Sequence, residues 1–472
     1  MTASSTFDAS TRTSVAGAKG APWLAGLALL ILLTPAYFLV GDILLDPGRV
    51  FFAILTPWLV IQLLSGKLPG GILLADKFVL FYCAWFSFAM FLHHPLKFSL
   101  INVPLHLIYI LGGYLVARYS IRSFSDFRAL ILLIVCLVVF FLPFSIYESL
   151  TTDFVIPHLF TSMGIGTISD VEYCCRFGLD RAQVVFSHPI HFGYFCSFVV
   201  GAFFVAFARD VPSFARLLIC VLMTIACVMS VSSGPLLSIL FQGAVVTYWL
   251  LTRNMKKPWI NLFRFAGVIY LILEVASNRP AIYAIAERMA FSPGTAFMRR
   301  LIFEYGMEQF WRTPILGIGY RRIPTMPWWM KDSVDNHWLV VAVAYGFPAF
   351  VAFAAVFFLL YRQVGKNYSD PDPDWVRANF SVAVMLTGLV LVLATVAVWL
   401  DTLSLTYMLL GASCFLFYAQ PKRMEEARPQ EVVRRAVFGD MRAEAAERPA
   451  GGRTPPAAVN PPETKPGRRT VL

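Results

Sequence analysis

The chain has 472 residues, 58% of them hydrophobic and only 14% charged, with a formal net charge of +11. Soluble domains carry about 25% charged residues, which excludes a water-soluble enzyme of this size. The positive excess sits in short clusters beside apolar runs, which points to membrane orientation and away from a nucleic-acid partner.

Residues 1–21 are rich in Ser, Thr and Ala, with Arg12 and Lys19 ahead of the first apolar run. No small-residue cleavage site closes that run, so the segment reads as an uncleaved cytoplasmic tail. Apolar spans are then predicted near 22–41, 49–66, 77–94, 99–118, 127–146, 189–208, 214–231, 235–252, 261–278, 337–361, 378–400 and 402–418. Stretches such as 130–143, 236–251 and 383–398 hold no Asp, Glu, Lys or Arg at all. A hydrocarbon core about 30 Å thick takes ~20 residues of helix, and these runs with their flanks supply that repeatedly. The fold class is therefore all-α: a polytopic membrane bundle of about twelve transmembrane helices over residues 22–418.

Lys and Arg set the expected orientation. One set of connections carries Lys67 and Lys77, then Arg118, Arg122 and Arg128, then Arg209 and Arg216. It continues with Arg253, Lys256, Lys257 and Arg264, and with Arg362, Lys366 and Arg377, whereas the alternate short connections hold little beyond Arg49 and Lys97. The positive-inside rule places the first set and both termini in the cytoplasm. Two long loops, about 147–188 and 279–336, fall on the opposite face, the periplasm of a Gram-negative cell. The tail 419–472, rich in Pro, Gly, Arg, Glu and Ala, cannot bury a core and is expected to be disordered in the cytoplasm. Six of the eight cysteines lie in apolar spans, and a bridge between the adjacent Cys174 and Cys175 would be strained. No Cys or His spacing suggests a metal, and no cofactor is indicated.

Chemistry must lie where charge returns. The 279–336 loop carries Arg279, Arg288, Arg299, Arg300, Arg312, Arg321, Arg322 and Lys331 against five carboxylates. An arginine-rich surface beside a membrane suits an anionic lipid head group, because the guanidinium fork matches phosphate; mutual ion pairing is the alternative reading. Met298 to Arg312 reads as an amphipathic helix with Leu301, Ile302, Tyr305 and Phe310 to one side, ended by Pro314 and a Gly317-Ile318-Gly319 turn. Pro327-Trp328-Trp329 reads as an interfacial anchor or a sugar-stacking surface. Asp335-Asn336-His337 follows at the mouth of a span. There Asp335 or His337 offers a general base, or else Asp335 caps the helix and His337 lies at the interface. The other long loop ends in Arg176, Arg181, His188 and His191, and a third external element is the turn Ser232-Ser233-Gly234.

These segments, in this order, resemble the O-antigen ligase and polymerase family of bacterial membrane glycosyltransferases over roughly residues 130–360. The resemblance rests on Arg181 with Phe186-Ser187-His188-Pro189, on Ser232-Ser233-Gly234, and on Arg300, Pro314 and Gly317-Ile318-Gly319. Asp335-Asn336, Leu339 and Gly346-Phe347-Pro348 complete it. It implies a helix bundle with a large periplasmic loop, sited in the bacterial inner membrane. Its implied partners are the bilayer, a glycan carried on undecaprenyl diphosphate and other polysaccharide-assembly proteins. By resemblance, Arg181 and Arg300, with Arg176 and Arg299 as neighbours, hold the diphosphate, and Asn336 and His188 face the glycan or acceptor. Asp335 or His337 orients or deprotonates the attacking hydroxyl, without nucleotide sugar or obligatory metal. The ligase branch usually shows His-Asn at the start of the span after the large loop, where this chain has Asp335-Asn336. That favours a relative that polymerises exopolysaccharide or O-units. A ligase acting on a lipid acceptor, a polysaccharide-related transporter or flippase, and a non-catalytic assembly protein are the alternatives.

Overall fold

The computed structural model describes residues 20–419, apart from 41–42, 168–174, 253–254, 256–257, 277–292, 331–333 and 368–369. The tails expected at 1–21 and 419–472 thus fall almost wholly outside the described residues, as do Arg279, Arg288 and Lys331 of the long loop.

Three helices begin in the same way. Asp46, His188 and Asp372 each accept a hydrogen bond from a backbone N–H of the first turn, and Pro47, Pro189 and Pro373 follow directly. A proline at that place lacks only an N–H that would have no helical partner, and its fixed φ already suits a helix. In chain order the helices are α1 (Pro22–Leu32), α2 (Pro47–Leu64), α3 (Leu74–His93), α4 (Leu96–Ser120) and α5 (Phe124–Thr151). Then come α6 (Val155–Ser162), α7 (Pro189–Ser197), α8 (Val200–Ala206), α9 (Ser213–Met229), α10 (Ser233–Thr252) and α11 (Pro258–Ala276). The last four are α12 (Pro293–Arg312), α13 (His337–Asn367), α14 (Pro373–Leu393) and α15 (Asp401–Ser413), the last continued by a short 3-10 turn. Among the described residues nine helices are long and apolar enough to cross a membrane, with Pro189–Ala206 counted once; α1, α9 and Asp401–Phe417 are apolar but shorter. The protein is a polytopic helical membrane protein.

Two predicted spans need correction. The run 22–41 is not one helix: α1 stops at Leu32, short of Pro35, because a residue before proline is pushed out of the helical region. The chain instead forms strand β1 (Phe38–Val40), paired antiparallel with β2 (Ile43–Leu45), Phe38 opposite Leu45. Among the described residues this hairpin is the one sheet in an otherwise helical bundle. Likewise α13 is broken at Gly346, whose φ of 84° and ψ of 177° are open to glycine alone.

That break is repaired from outside the helix. Ile318 N–H donates to Val343 O (3.0 Å), Gly319 N–H to Ala344 O (2.8 Å) and Phe347 N–H to Pro314 O (2.7 Å). Trp85 Nε1 donates to Tyr345 O (3.0 Å). Backbone groups in lipid must find partners within the protein, and here a loop strap, 314–320, supplies most of them.

The connections sort to two ends of the bundle. At one, Arg118 meets Asp76, Arg128 meets Asp210, and Arg209 and Arg377 meet Asp374. Arg118 and Asp76 are fully buried, and Tyr114 donates to the same carboxylate (2.7 Å). At the other end lie the 149–188 segment, the 230–233 turn, α12, the strap and the 394–400 link between α14 and α15. The second end carries every described residue singled out for chemistry.

Candidate functional site

The segment bearing Arg176 and Arg181 has no regular structure of its own, so its position comes from strapping. Glu148, in the last turn of α5, accepts from Gln183 N–H (2.8 Å) and Val184 N–H (3.0 Å). Ser149 Oγ donates to Asp180 O, and Ala182 N–H donates to Met229 O at the end of α9. These bonds hold the segment against the turn joining α9 to α10.

That turn gathers the arginines. Arg181 Nε donates to Ser230 O (3.3 Å), Arg176 Nη1 to Val231 O (3.5 Å), and Arg299 Nη1, from α12, to Ser233 Oγ (3.4 Å). Arg299 Nε is buried with no hydrogen-bond partner among the described residues. Burial holds the Arg299 guanidinium below its ordinary pKa, Asp335 nearby works to raise it and Arg176 to lower it. The arrangement is an electropositive cup with one acid at its edge, suited to an anion that can accept several N–H bonds. Arg300 Nε, next on α12, donates to Glu304 Oε1 (2.8 Å). Of the four arginines, then, the turn collects Arg176, Arg181 and Arg299, and Arg300 forms an i,i+4 pair beside them.

The backbone around the cup is strained. Val231 and Val184 take φ of 43° and 56°, and Leu400, the last residue of the 394–400 link, takes 50°. A bulky or β-branched residue with positive φ costs about 1–3 kcal/mol and persists where the surroundings over-determine it, often at functional sites.

Asp335 and His337 border a second feature, a cavity of about 420 Å3 that also meets Tyr109, Tyr320, Tyr345 and Trp399. The helix cap expected of Asp335 belongs to Asn336, whose Oδ1 accepts from Leu339 N–H (3.1 Å). His337 is not interfacial: it is 4% exposed, edge-on to Phe353, and neither ring nitrogen has a hydrogen-bond partner among the described residues. Leaving such a group unpartnered costs about 1–3 kcal/mol, so the cavity it faces is where its partner belongs. His188 caps α7 through Nδ1, accepting from Ile190 N–H (3.0 Å), with its ring 6.2 Å from Trp399. His191 is buried, with Nε2 3.3 Å from Ala397 O and its ring 4.1 Å from Trp399.

The strap closes the cavity on another side. Tyr320 N–H donates to His94 Nε2 (2.9 Å), its hydroxyl lies 3.1 Å from His106 Nδ1, and Arg321 donates to His93 O. Burial raises the Tyr320 hydroxyl pKa, keeping it neutral. Sequence reasoning passed over Glu148, His106, Tyr320 and Trp399. One of them carried a signal: an ionisable group inside an apolar span, as with His106 in 99–118, asks for a reason, whereas Glu148 fell in the predicted 147–188 loop. Among the described residues no group of His, Cys, Asp and Glu is arranged to hold a metal ion.

Residues 218–354 match the family model described as O-antigen ligase (Wzy_C). The matched stretch runs from α9 through the 230–233 turn, α12 and the strap to the first half of α13, so it contains Arg299, Arg300, Asp335, Asn336 and His337. The family resemblance read from the sequence is borne out over these residues. No curated protein matches the chain.

Proposed function

We propose, with the O-antigen ligase match as the premise, that this chain is a membrane glycosyltransferase of surface polysaccharide assembly. It polymerises or transfers glycan units carried on undecaprenyl diphosphate. The match supports a membrane role in polysaccharide assembly. The finer reading is carried by one observation: guanidinium groups of Arg176, Arg181 and Arg299, from two distant stretches, converge on one strained turn with Asp335 at their edge.

In this reading the diphosphate lies in the cup and the acceptor approaches from the side of Asp335. The acceptor oxygen bonds to the anomeric carbon as the bond from that carbon to the diphosphate oxygen breaks. The electron pair leaves with the diphosphate, whose growing charge the fixed guanidinium groups stabilise. The acceptor hydroxyl proton passes to the carboxylate of Asp335, which lies within electrostatic reach of Arg299. Arg300, tied to Glu304, flanks the cup and orders α12. Asp335 stands where ligases usually carry His, and this supports a polymerising enzyme over a ligase.

The test uses cells deleted for the gene and complemented at matched protein levels. Arg181→Gln, Arg299→Gln and Asp335→Asn should each lower surface polymer by about a hundredfold, the effect of losing one charge-stabilising donor or the base. Arg300→Ala should be milder, because its guanidinium is shared with Glu304. Undiminished polymer in all of the first three variants sinks the assignment.

A further inference from the structure

The cavity beside Asp335 differs in kind from the arginine cup. Eight of its fourteen lining residues carry a polar side-chain group, and Asp335 is the one charged residue among them. Tyr320, Tyr345 and Trp399 give it aromatic walls, and Asn102, His106 and His337 give it hydrogen-bonding groups. Among the described lining residues a second diphosphate would meet a carboxylate and no cation, so the cavity differs from the anion site. Arg49 stands behind Tyr109 and is paired with Asp46. A hydrocarbon chain is also a poor occupant, since it would leave both nitrogens of buried His337 without a bond. Aromatic faces with a few converging polar groups fit a ring that has apolar faces and hydroxyl edges. The volume, about 420 Å3, lies in the ordinary range for small-molecule sites, roughly 300–1,000 Å3.

We infer that this cavity is a binding subsite for a neutral sugar ring of the acceptor glycan, with Trp399 and Tyr320 as its stacking walls and His337 as its buried hydrogen-bond partner. Its position follows from Asp335, which lines the cavity and also lies within electrostatic reach of Arg299. A ring held here presents a hydroxyl at the carboxylate that borders the diphosphate cup. Trp399 is available as a wall because the 394–400 link is fixed: Ala397 O meets His191 Nε2, and Thr402 Oγ1 both accepts from Trp399 N–H (3.3 Å) and donates to Trp399 O (2.9 Å). Tyr320 is fixed by His94 and His106. The donor's charge and the acceptor's ring are thus recognised by separate groups, joined at Asp335. This rests on the transferase reading above but concerns residues that reading does not use.

The experiment takes the full-length protein in lipid nanodiscs with two radiolabelled probes. One is undecaprenyl diphosphate; the other is an oligosaccharide released from the host's own surface polysaccharide. Wild-type protein should bind both. Trp399→Ala and Tyr320→Ala should weaken the oligosaccharide by about tenfold or more, the loss of one ring contact, and hold the diphosphate as wild type does. Arg299→Gln should do the reverse. If an alanine variant loses both probes through misfolding, Trp399→Leu, which keeps bulk without the aromatic face, must still lose the oligosaccharide selectively. Oligosaccharide binding unchanged in the cavity variants, or absent from a wild type that holds the diphosphate, overturns this inference and leaves the transferase reading standing. A wild type that holds no diphosphate overturns that reading instead. Recovery of a prenyl chain from the cavity, lost in Trp399→Ala, would also overturn the sugar assignment.

Discussion

Asp335 and Asn336 are neighbours that substitution can separate, because Asn336 caps the start of α13. Its carboxamide accepts the Leu339 N–H, so Asn336→Ala should cost about 1 kcal/mol of stability, read as a lower Tm in detergent. Asn336→Asp keeps an acceptor and a good cap, and should restore that Tm. Its polymer output should then reveal whether the amide has any further part, whereas Asp335→Asn should leave Tm near wild type and remove polymer. His94 allows a test by pH. Its Nε2 accepts the Tyr320 N–H, so the strap is docked by the neutral ring. Burial, then Arg321 and His93, lower its pKa from the ordinary 6.5. A histidine with a lowered folded pKa lends its stabilisation in full above the unfolded value and loses it as pH falls toward the folded one. Tyr320 also meets the His106 ring through its hydroxyl, 3.1 Å from Nδ1. Hydrogen exchange at the Tyr320 amide, corrected for its intrinsic rate, should be slow above pH 6.5 and speed up progressively below it. His94→Phe should exchange fast at every pH.

At the scale of elements, the broken helix and the strap form one unit. The Gly346 conformation is closed to residues with a Cβ, and a Cβ there would run into the Ile315 carbonyl. Gly346→Ala should therefore cost on the order of 3 kcal/mol, combining backbone strain with the clash. A thermal scan should show the lower Tm, and the strap amides of Ile318 and Gly319 should lose exchange protection before the rest of the bundle. Retained protection at those amides would mean that the strap does not depend on the break. The pieces of this unit were legible separately: Pro314, Gly317-Ile318-Gly319 and Gly346-Phe347-Pro348 all stand out as interruptions. Their pairing was not, because hydropathy reports how apolar a stretch is and not which backbone groups lack partners. The same limit explains the first span, where the apolar run 22–41 conceals the first strand of a hairpin, and the cavity, whose walls come from residues up to 298 positions apart, Asn102 to Leu400. The arginine cup was half legible. Composition marked the loops whose arginines meet at the 230–233 turn, but separating Arg299 from Arg300 depends on a helical phase of one residue.

For the whole molecule, the basic connections and the residues proposed for chemistry sit at opposite ends of the helices, so the orientation of the bundle decides which compartment the proposed site meets. The positive-inside rule places the Arg118, Arg128 and Arg209 end in the cytoplasm, and those arginines pair with acids there, so their excess is partly offset. The rule counts Lys and Arg and gives acids little weight, so the pairing does not weaken the expectation. A native thiol provides the test. Cys175 is exposed and free, and it adjoins Arg176 at the chemistry-bearing end. Cys136 is also exposed, but it lies midway along α5, the most apolar of the long helices, where a charged reagent in water cannot reach it. Cys83, Cys196, Cys227 and Cys414 are buried. A membrane-impermeant maleimide added to intact spheroplasts should therefore label the wild type and fail on the Cys174→Ser, Cys175→Ser double variant. If label enters only after the membrane is opened, the chemistry-bearing end faces the cytoplasm, and a donor presented on the outer face could not reach the cup. Labelling of intact spheroplasts places the arginines, Asp335 and the cavity on the side where a lipid-linked glycan, once flipped across the membrane, would meet them.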